Sequence, residues 1–257
     1  MTLKHLFAAG AVLALGACSA SLQTTSGADY LARYDASHES ANGLASDVDA
    51  DVRRIAAIEP TLAFPARIGL ARIQNGRLTA LPADEARIWQ DVVDDLGEAY
   101  GDLVPVSPLI AAMVREPAPA GMDRSAAVIA HIRRGAARQH LDYVLAYEVG
   151  SHRQEKANAL ALADLTVIGL FVLPSRTIEV EATASGLMLD VRTGYPYATL
   201  TSYADKSGVS RVISDATTLA DYVDTAEERA VANLAHDFGG AMEGLEQRAI
   251  ALSQKGG

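Results

Sequence analysis

The spacing of apolar residues changes several times along this chain, and each change predicts an element. Arg67 to Ile73 (RIGLARI) is a compact apolar run closed by the turn signal Asn75-Gly76, and predicts the first core strand. From Pro82 to Tyr100 the apolar residues Ile88, Val92, Val93, Leu96 and Tyr100 return at helical spacing behind a proline and two acids. Leu103 to Val106 predicts a short second strand, closed by Pro108, and a proline-rich link runs from Arg115 to Asp123. Arg124 to His140 predicts a second amphipathic helix with Ala127, Val128, Ile132 and Ala136 on one face, and Tyr143 to Val149 a third strand. Ile178 to Val191 predicts a long strand, Thr193-Gly194 its turn, and Pro196 to Tyr203 its hairpin partner, with a further turn at Asp205 to Gly208. Asp215 to about Ser253 is one long helical pattern through Leu219, Val223, Ala226, Ala230, Leu234, Phe238, Ala241 and Leu245. Its inward residues include Leu219, Val223, Leu234 and Phe238, and Gly239-Gly240 is the place for a bend. The order β-α-β-α-β, then a hairpin, then a long carboxy-terminal helix predicts an α/β fold with helices packed on a mixed sheet.

The amino-terminal part adds a different signal. Lys4 and His5 precede an apolar run from Leu6 to Ala17, which has signal-peptide length and is too short to span a bilayer. The run ends in Leu15-Gly16-Ala17-Cys18, which resembles a bacterial lipobox, whose cysteine becomes the lipidated first residue of the mature protein. Cys18 is the only cysteine, so it is the candidate lipidation site and no internal disulfide can form. The alternative is an ordinary cleaved signal peptide with an incidental thiol. Each buried methylene contributes about 0.8 kcal/mol, so one acyl chain holds weakly and two or three hold firmly. The resemblance therefore implies a palmitate-type lipid anchor without a transmembrane helix. Ser19 follows Cys18 where an Asp would retain the protein at the inner membrane, which by analogy with proteobacterial sorting signals implies the outer membrane, with the body in the periplasm. Ser19 to about Asn42 reads as a small, polar tether with a short ordered patch around Tyr30 to Tyr34, and Asp47 to Ile58 as a short helix stopped by Pro60. The resulting plan is a signal peptide at 1–17, a lipidated tether with a short helix at 18–63, and a periplasmic α/β domain at 64–257.

Charge narrows the partners. The net charge is −10, from 22 basic and 32 acidic residues, with no basic stripe and few aromatics, so nucleic-acid binding is not expected. An acidic surface repels anionic headgroups, which leaves the lipid as the expected hold on the membrane. Ala161 to Thr177 (ALADLTVIGLFVLPSRT) is the most apolar stretch after the signal. A spanning helix needs about 20 mostly apolar residues, and an Asp near its middle, here Asp164, costs about 2.5–3.5 kcal/mol. Spanning would also separate the third strand from the hairpin and leave neither side enough strands for a sheet. The stretch from Leu165 to Leu173 is expected to be a buried helix or loop covering the sheet, or an exposed patch for self-association or membrane contact.

No chemistry-bearing motif emerges. His5, His38, His131, His140, His152 and His236 form no HExxH or HxH pair; His131 and His140 lie nine residues apart near one helix. Asp47, Asp49 and Asp51 imitate the start of a calcium loop, but Val52 replaces its glycine and Ile58 its bidentate Glu, so they read as an acidic helix start. Glu179 and Glu181 share one strand face and are expected to face solvent or pair with Arg176 and Arg192. There is no G-x-S-x-G elbow, Walker loop or G-x-G-x-x-G. Neither metal nor cofactor is expected.

IGLARI (68–73), LDYVLAYEV (141–149) and LPSRTIEVEATASGLMLDVRTG (173–194), with the lipobox, resemble the periplasmic domain shared by the curli-secretion lipoprotein CsgG, the lipoprotein LpoB and the amino-terminal domain of TolB. The resemblance covers about Phe64 to Gln254. A narrower likeness is to rhombotarget lipoproteins, a class expected to carry a carboxy-terminal glycine-glycine membrane segment cut by a rhomboid protease; this chain ends at Lys255-Gly256-Gly257. The CsgG likeness implies oligomerisation, although the chain lacks the two alternating hairpins of a lipid-facing barrel. The LpoB likeness implies regulation of a peptidoglycan synthase. The expected function is a non-enzymatic outer-membrane lipoprotein serving as an envelope scaffold, assembly or regulatory factor, with an envelope partner or its own copies; the alternative is an envelope hydrolase with a spatially assembled site.

Overall fold

The computed structural model describes residues 19–38, 47–114, 123–157, 176–210 and 215–255. Seven strands form one mixed sheet: β1 (Ser19–Leu22), β2 (Ala66–Gln74), β3 (Arg77–Thr79), β4 (Gly101–Pro105), β5 (Tyr143–Ala157), β6 (Arg176–Asp190) and β7 (Pro196–Ser210). Their order is β1-β7-β6-β5-β2-β3, with β4 also beside β2. β2 pairs with β4 and β5 in parallel, while β3 and the β5-β6-β7-β1 series pair antiparallel. The described helices are α1 (Gly27–His38), α2 (Asp47–Ala56), α3 (Ala83–Leu96), α4 (Pro108–Met113), α5 (Arg124–Arg138) and α6 (Asp215–Lys255). The expected α/β fold with a long carboxy-terminal helix is thus observed.

Alternation along β5 divides the core into two layers. Tyr143, Leu145 and Tyr147 point to one face, where they meet Trp89 of α3 and Ala230, Leu234 and Phe238 of α6. Val144 and Ala146 point to the other, against Val128, Ile132 and Ala136 of α5. β2 packs on both faces, which explains why it reads as a continuous apolar run. Asn75 and Gly76 have φ of 53° and 69°, the left-handed pair that a tight hairpin into β3 needs. That short strand, like α4, carries too little pattern to show in the sequence.

The structure departs from the sequence expectations in three places. Asp205 to Gly208 is not a turn: these residues pair with Glu181 to Ile178 inside β7. β5 and β7 each run to 15 residues, several beyond their expected ends. The expected tether begins as a strand, because Ser19 to Leu22 pair with Thr201 to Ala198, and α1 takes up twelve residues where only a short ordered patch was signalled. α6 runs without interruption through Gly239-Gly240, the place expected for a bend. Leu165 to Leu173 fall outside the described residues.

Candidate functional site

β1 is the element that a lipid on Cys18 would act through; Cys18 itself lies outside the described residues. The strand is fastened at several points. Leu22 lies against Gly244 of α6, where a Cβ would sit only 2.8 Å from its Cδ1, so glycine makes room for it. Arg248 donates to the Leu22 carbonyl at 3.0 Å, and Gln23 donates its backbone N–H to Tyr197 at 2.8 Å. Beyond the strand, the Tyr195 hydroxyl donates to the Thr25 carbonyl at 2.9 Å.

The next stretch, residues 59–64, is pinned to the end of the sheet. Glu59 accepts from the Ala28 N–H at 2.9 Å and the Ser26 hydroxyl at 3.2 Å, which holds its carboxyl below the usual range. Thr61 gives to its neighbours twice and receives once: its N–H donates to the Tyr197 hydroxyl, its own hydroxyl donates to Asp190, and its carbonyl accepts from Tyr143. Asp190 is fully buried, and its other oxygen accepts the N–H groups of Arg192 and Thr193, which closes the β6–β7 turn. Burial pushes the Tyr197 hydroxyl up to about 12, and burial likewise raises Tyr143 and Tyr195.

A second polar group lies under α3. Arg72 donates through Nε to both Glu85 oxygens, at 2.8 and 2.9 Å, and Tyr147 donates its hydroxyl to the same carboxylate. Arg72 and Glu85 are 7% and 6% exposed, so the ion pair is held out of water. Burial and the bond to Glu85 raise the Tyr147 pKa well above the ordinary tyrosine range. Trp89 closes over the group, with its ring 5.3 Å from Tyr147 and 5.9 Å from Phe238. Each of these charged groups is committed to a neighbour inside the core. Sequence reasoning missed the group because Arg72 lies within an apolar strand run and Glu85 within an acidic helix start.

The residues singled out in the sequence do not converge. His131 is half-buried on α5, His140 follows that helix with φ of 56°, and His152 and His236 are exposed on β5 and α6. Asp47 and Asp49 fall in α2, and Asp51 of that helix pairs with Arg54 at 3.0 Å, as an acidic helix start should. Glu179 and Glu181 lie on β6 opposite Ser207 and Asp205. Arg192 is not their partner: it lies past the other end of β6 and approaches Asp190 at 3.7 Å. Serine hydroxyls bond to carboxylates, Ser202 to Asp237 and Ser151 to Glu227. Among the described residues no group of three or more His, Cys, Asp or Glu is placed to hold a metal ion. Nor, among them, is any helix long and apolar enough to cross a membrane.

Where α5 ends its cover, the sheet is open. A groove of about 380 Å³ runs between Val128 and Ile129 of α5 and Leu187, Thr199 and Thr201 of the sheet. Across β6, β7 and β1 this face presents Thr183, Ser185, Thr199, Thr201, Tyr203, Ser19 and Ser21, all half-buried or exposed.

No family model matches the chain, and no curated protein does. Among solved structures it is similar to a minor lipoprotein from Acinetobacter baumannii, at 11% identity over 70% of this chain and 92% of that one, with a TM-score of 0.36. It is also similar to the PelC dodecamer from Paraburkholderia phytofirmans, at 15% identity over 68% of this chain and 91% of that one, with a TM-score of 0.29. Superpositions this loose carry no argument about function.

Proposed function

We propose that this chain is a lipid-anchored envelope protein of the outer membrane whose periplasmic domain acts as a scaffold, assembly or regulatory factor and not as a catalyst. The observation that carries the reading is a junction: the lipobox cysteine, Cys18, is followed at once by Ser19, the first residue of a sheet strand. A mature chain starting at Cys18 would keep every described element and shed only the apolar leader. The commitment of Arg72, Glu85, Tyr147, Asp190 and Asp237 to structural bonds supports a non-enzymatic role. The acidic balance supports a protein or lipid partner over a nucleic acid.

Metabolic labelling with a fatty-acid probe tests the anchor. The wild-type chain takes up the label and fractionates with outer membranes; Cys18→Ser remains unprocessed or soluble and unlabelled. A Cys18→Ser chain that still carries the label refutes the reading. Affinity capture of the native complex from crosslinked envelopes then tests the scaffold role, which predicts stoichiometric envelope protein, or further copies of the chain, in the eluate.

A further inference from the structure

We propose that the hydroxyl-lined face formed by β6, β7 and β1 rests on the phospholipid bilayer surface, so that the lipid holds the domain in one orientation and not on a free tether. This rests on the reading of Cys18 as the lipidated residue. Ser19 pairs with Thr201, so the chain leaves Cys18 already in sheet register, about 3.8 Å of backbone away. Slack is removed further along by the Leu22 contact with Gly244, the Arg248 bond to the Leu22 carbonyl and the Gln23 bond to Tyr197. The glyceryl end of the lipid sits at the headgroup level of the bilayer, so the surface around Ser19 must lie there too.

That surface suits the place. The register puts Ser19, Thr201 and Ser185 side by side, with Ser21 and Thr199 in the row before and Tyr203 and Thr183 in the row after. All seven side chains carry a hydroxyl and none a charge, within a chain of net charge −10. Leu187 completes the row of Thr199 and Ser21, Glu148 of β5 adjoins Ser185, and Glu181 and Asp205 form the next row beyond Thr183 and Tyr203. An acidic face would be repelled by anionic lipid, whereas hydroxyls donate to phosphate and glyceryl oxygens at no Coulomb cost. Tyr203, 53% exposed, projects from the same face two residues beyond the partner of Ser19. A tyrosine with an apolar ring and a polar tip is a preferred residue at the membrane–water interface.

The test uses the full-length lipidated protein in phosphatidylethanolamine–phosphatidylglycerol vesicles whose acyl chains carry bromine just below the headgroups. Tyr203→Trp reports from the face, Thr199→Trp from a second exposed position on it, and Ile55→Trp from α2, past the opposite end of β1. The emission of buried Trp89 in the parent is subtracted. The proposal expects about twofold or greater quenching of the tryptophan at 203 or 199 and none at 55, as for a ring at the interface. Equal or no quenching at the three positions, with the fatty-acid label on Cys18 intact, overturns the orientation and leaves the anchor standing. An unquenched face in a protein that sediments as an oligomer overturns it in favour of a second copy as occupant. Loss of the label from wild type removes the anchor, and the orientation falls with it.

Discussion

Burying Arg72 together with Glu85 takes two charges out of water, and attraction alone does not reliably offset the desolvation. The geometry explains why the pair is tolerated: both carboxylate oxygens accept from Nε, and Tyr147 supplies a further donor to the same carboxylate. Removing one partner should therefore cost far more than replacing both. Glu85→Ala is expected to destabilise the domain by about 3–5 kcal/mol, because it strands a buried guanidinium. Arg72→Met combined with Glu85→Leu should recover most of that loss. Denaturant titration of the three proteins checks the contrast; a double variant no more stable than Glu85→Ala would show that the pair itself is needed. Little of this is legible from residue order alone. Helical spacing picks out Ile88, Val92 and Leu96 as the inner stripe, and they are half-buried, but the deepest positions are Glu85 and Trp89, four residues apart. A glutamate does not count as apolar in such a pattern, so the stripe is read one position off its centre. The signal at Cys18 is of a different kind: a lipobox is proposed from residue types in a fixed local order and draws on no tertiary context.

Elements were legible where burial on one or both faces imposed a period, and illegible where pairing alone decides the conformation. β2, α5 and the body of α6 have a buried face with a matching pattern. Asp205-Lys206-Ser207-Gly208 has turn-like composition, yet continues as strand because β6 supplies a partner for every residue to Ser210. Ser19 to Leu22 is too short and too polar to announce itself, and its place is set by Thr201, Gly244 and Arg248, residues far along the chain. The same edge raises a question of solubility. Past Thr201, among the described residues, β7 has no strand beyond it, and an edge of this length invites pairing with another chain. Two side chains of α6 cover it: Asn233 donates to the Tyr203 carbonyl at 2.8 Å and Arg229 to the Asp205 carbonyl at 3.3 Å. Replacing both by Ala frees these acceptors. The expected loss of stability is modest, about 0.5–1.5 kcal/mol per hydrogen bond, with increased self-association at high concentration. Sedimentation velocity over a concentration series decides; a variant that sediments like wild type throughout would mean the edge is protected by other means.

At the scale of the whole molecule, the order of the long helices and five of the seven strands were readable, but the balance between the two faces was not. The α5 layer is the smaller one, and the layer under α3 and α6 carries most of the large buried side chains, including Trp89, Tyr143, Tyr147, Met188, Leu234 and Phe238. Phe238 is 1% exposed within a single chain and meets Trp89 edge-to-face at 5.9 Å, so it belongs to the domain core whatever the oligomeric state. Through Trp89 it reaches Tyr147 and the Glu85 group, and α6 itself spans from Ser151 of β5 to Leu22 of β1. One ring thus joins the long helix, α3 and the sheet. Phe238→Ala should cost about 3–5 kcal/mol, a large share of the 5–15 kcal/mol typical of a domain. At about 2–4 °C per kcal/mol for a chain of this size, the melt should fall by roughly 6–20 °C. The fall should come as one transition, since both faces share the same strands and cannot melt apart without breaking β2 and β5. Calorimetry with sedimentation on the same samples separates the outcomes. A folded, unshifted melt would mean that the Phe238 ring contributes little to the stability of the core, and a second, unshifted transition would mean that the α5 layer folds without the α6 layer.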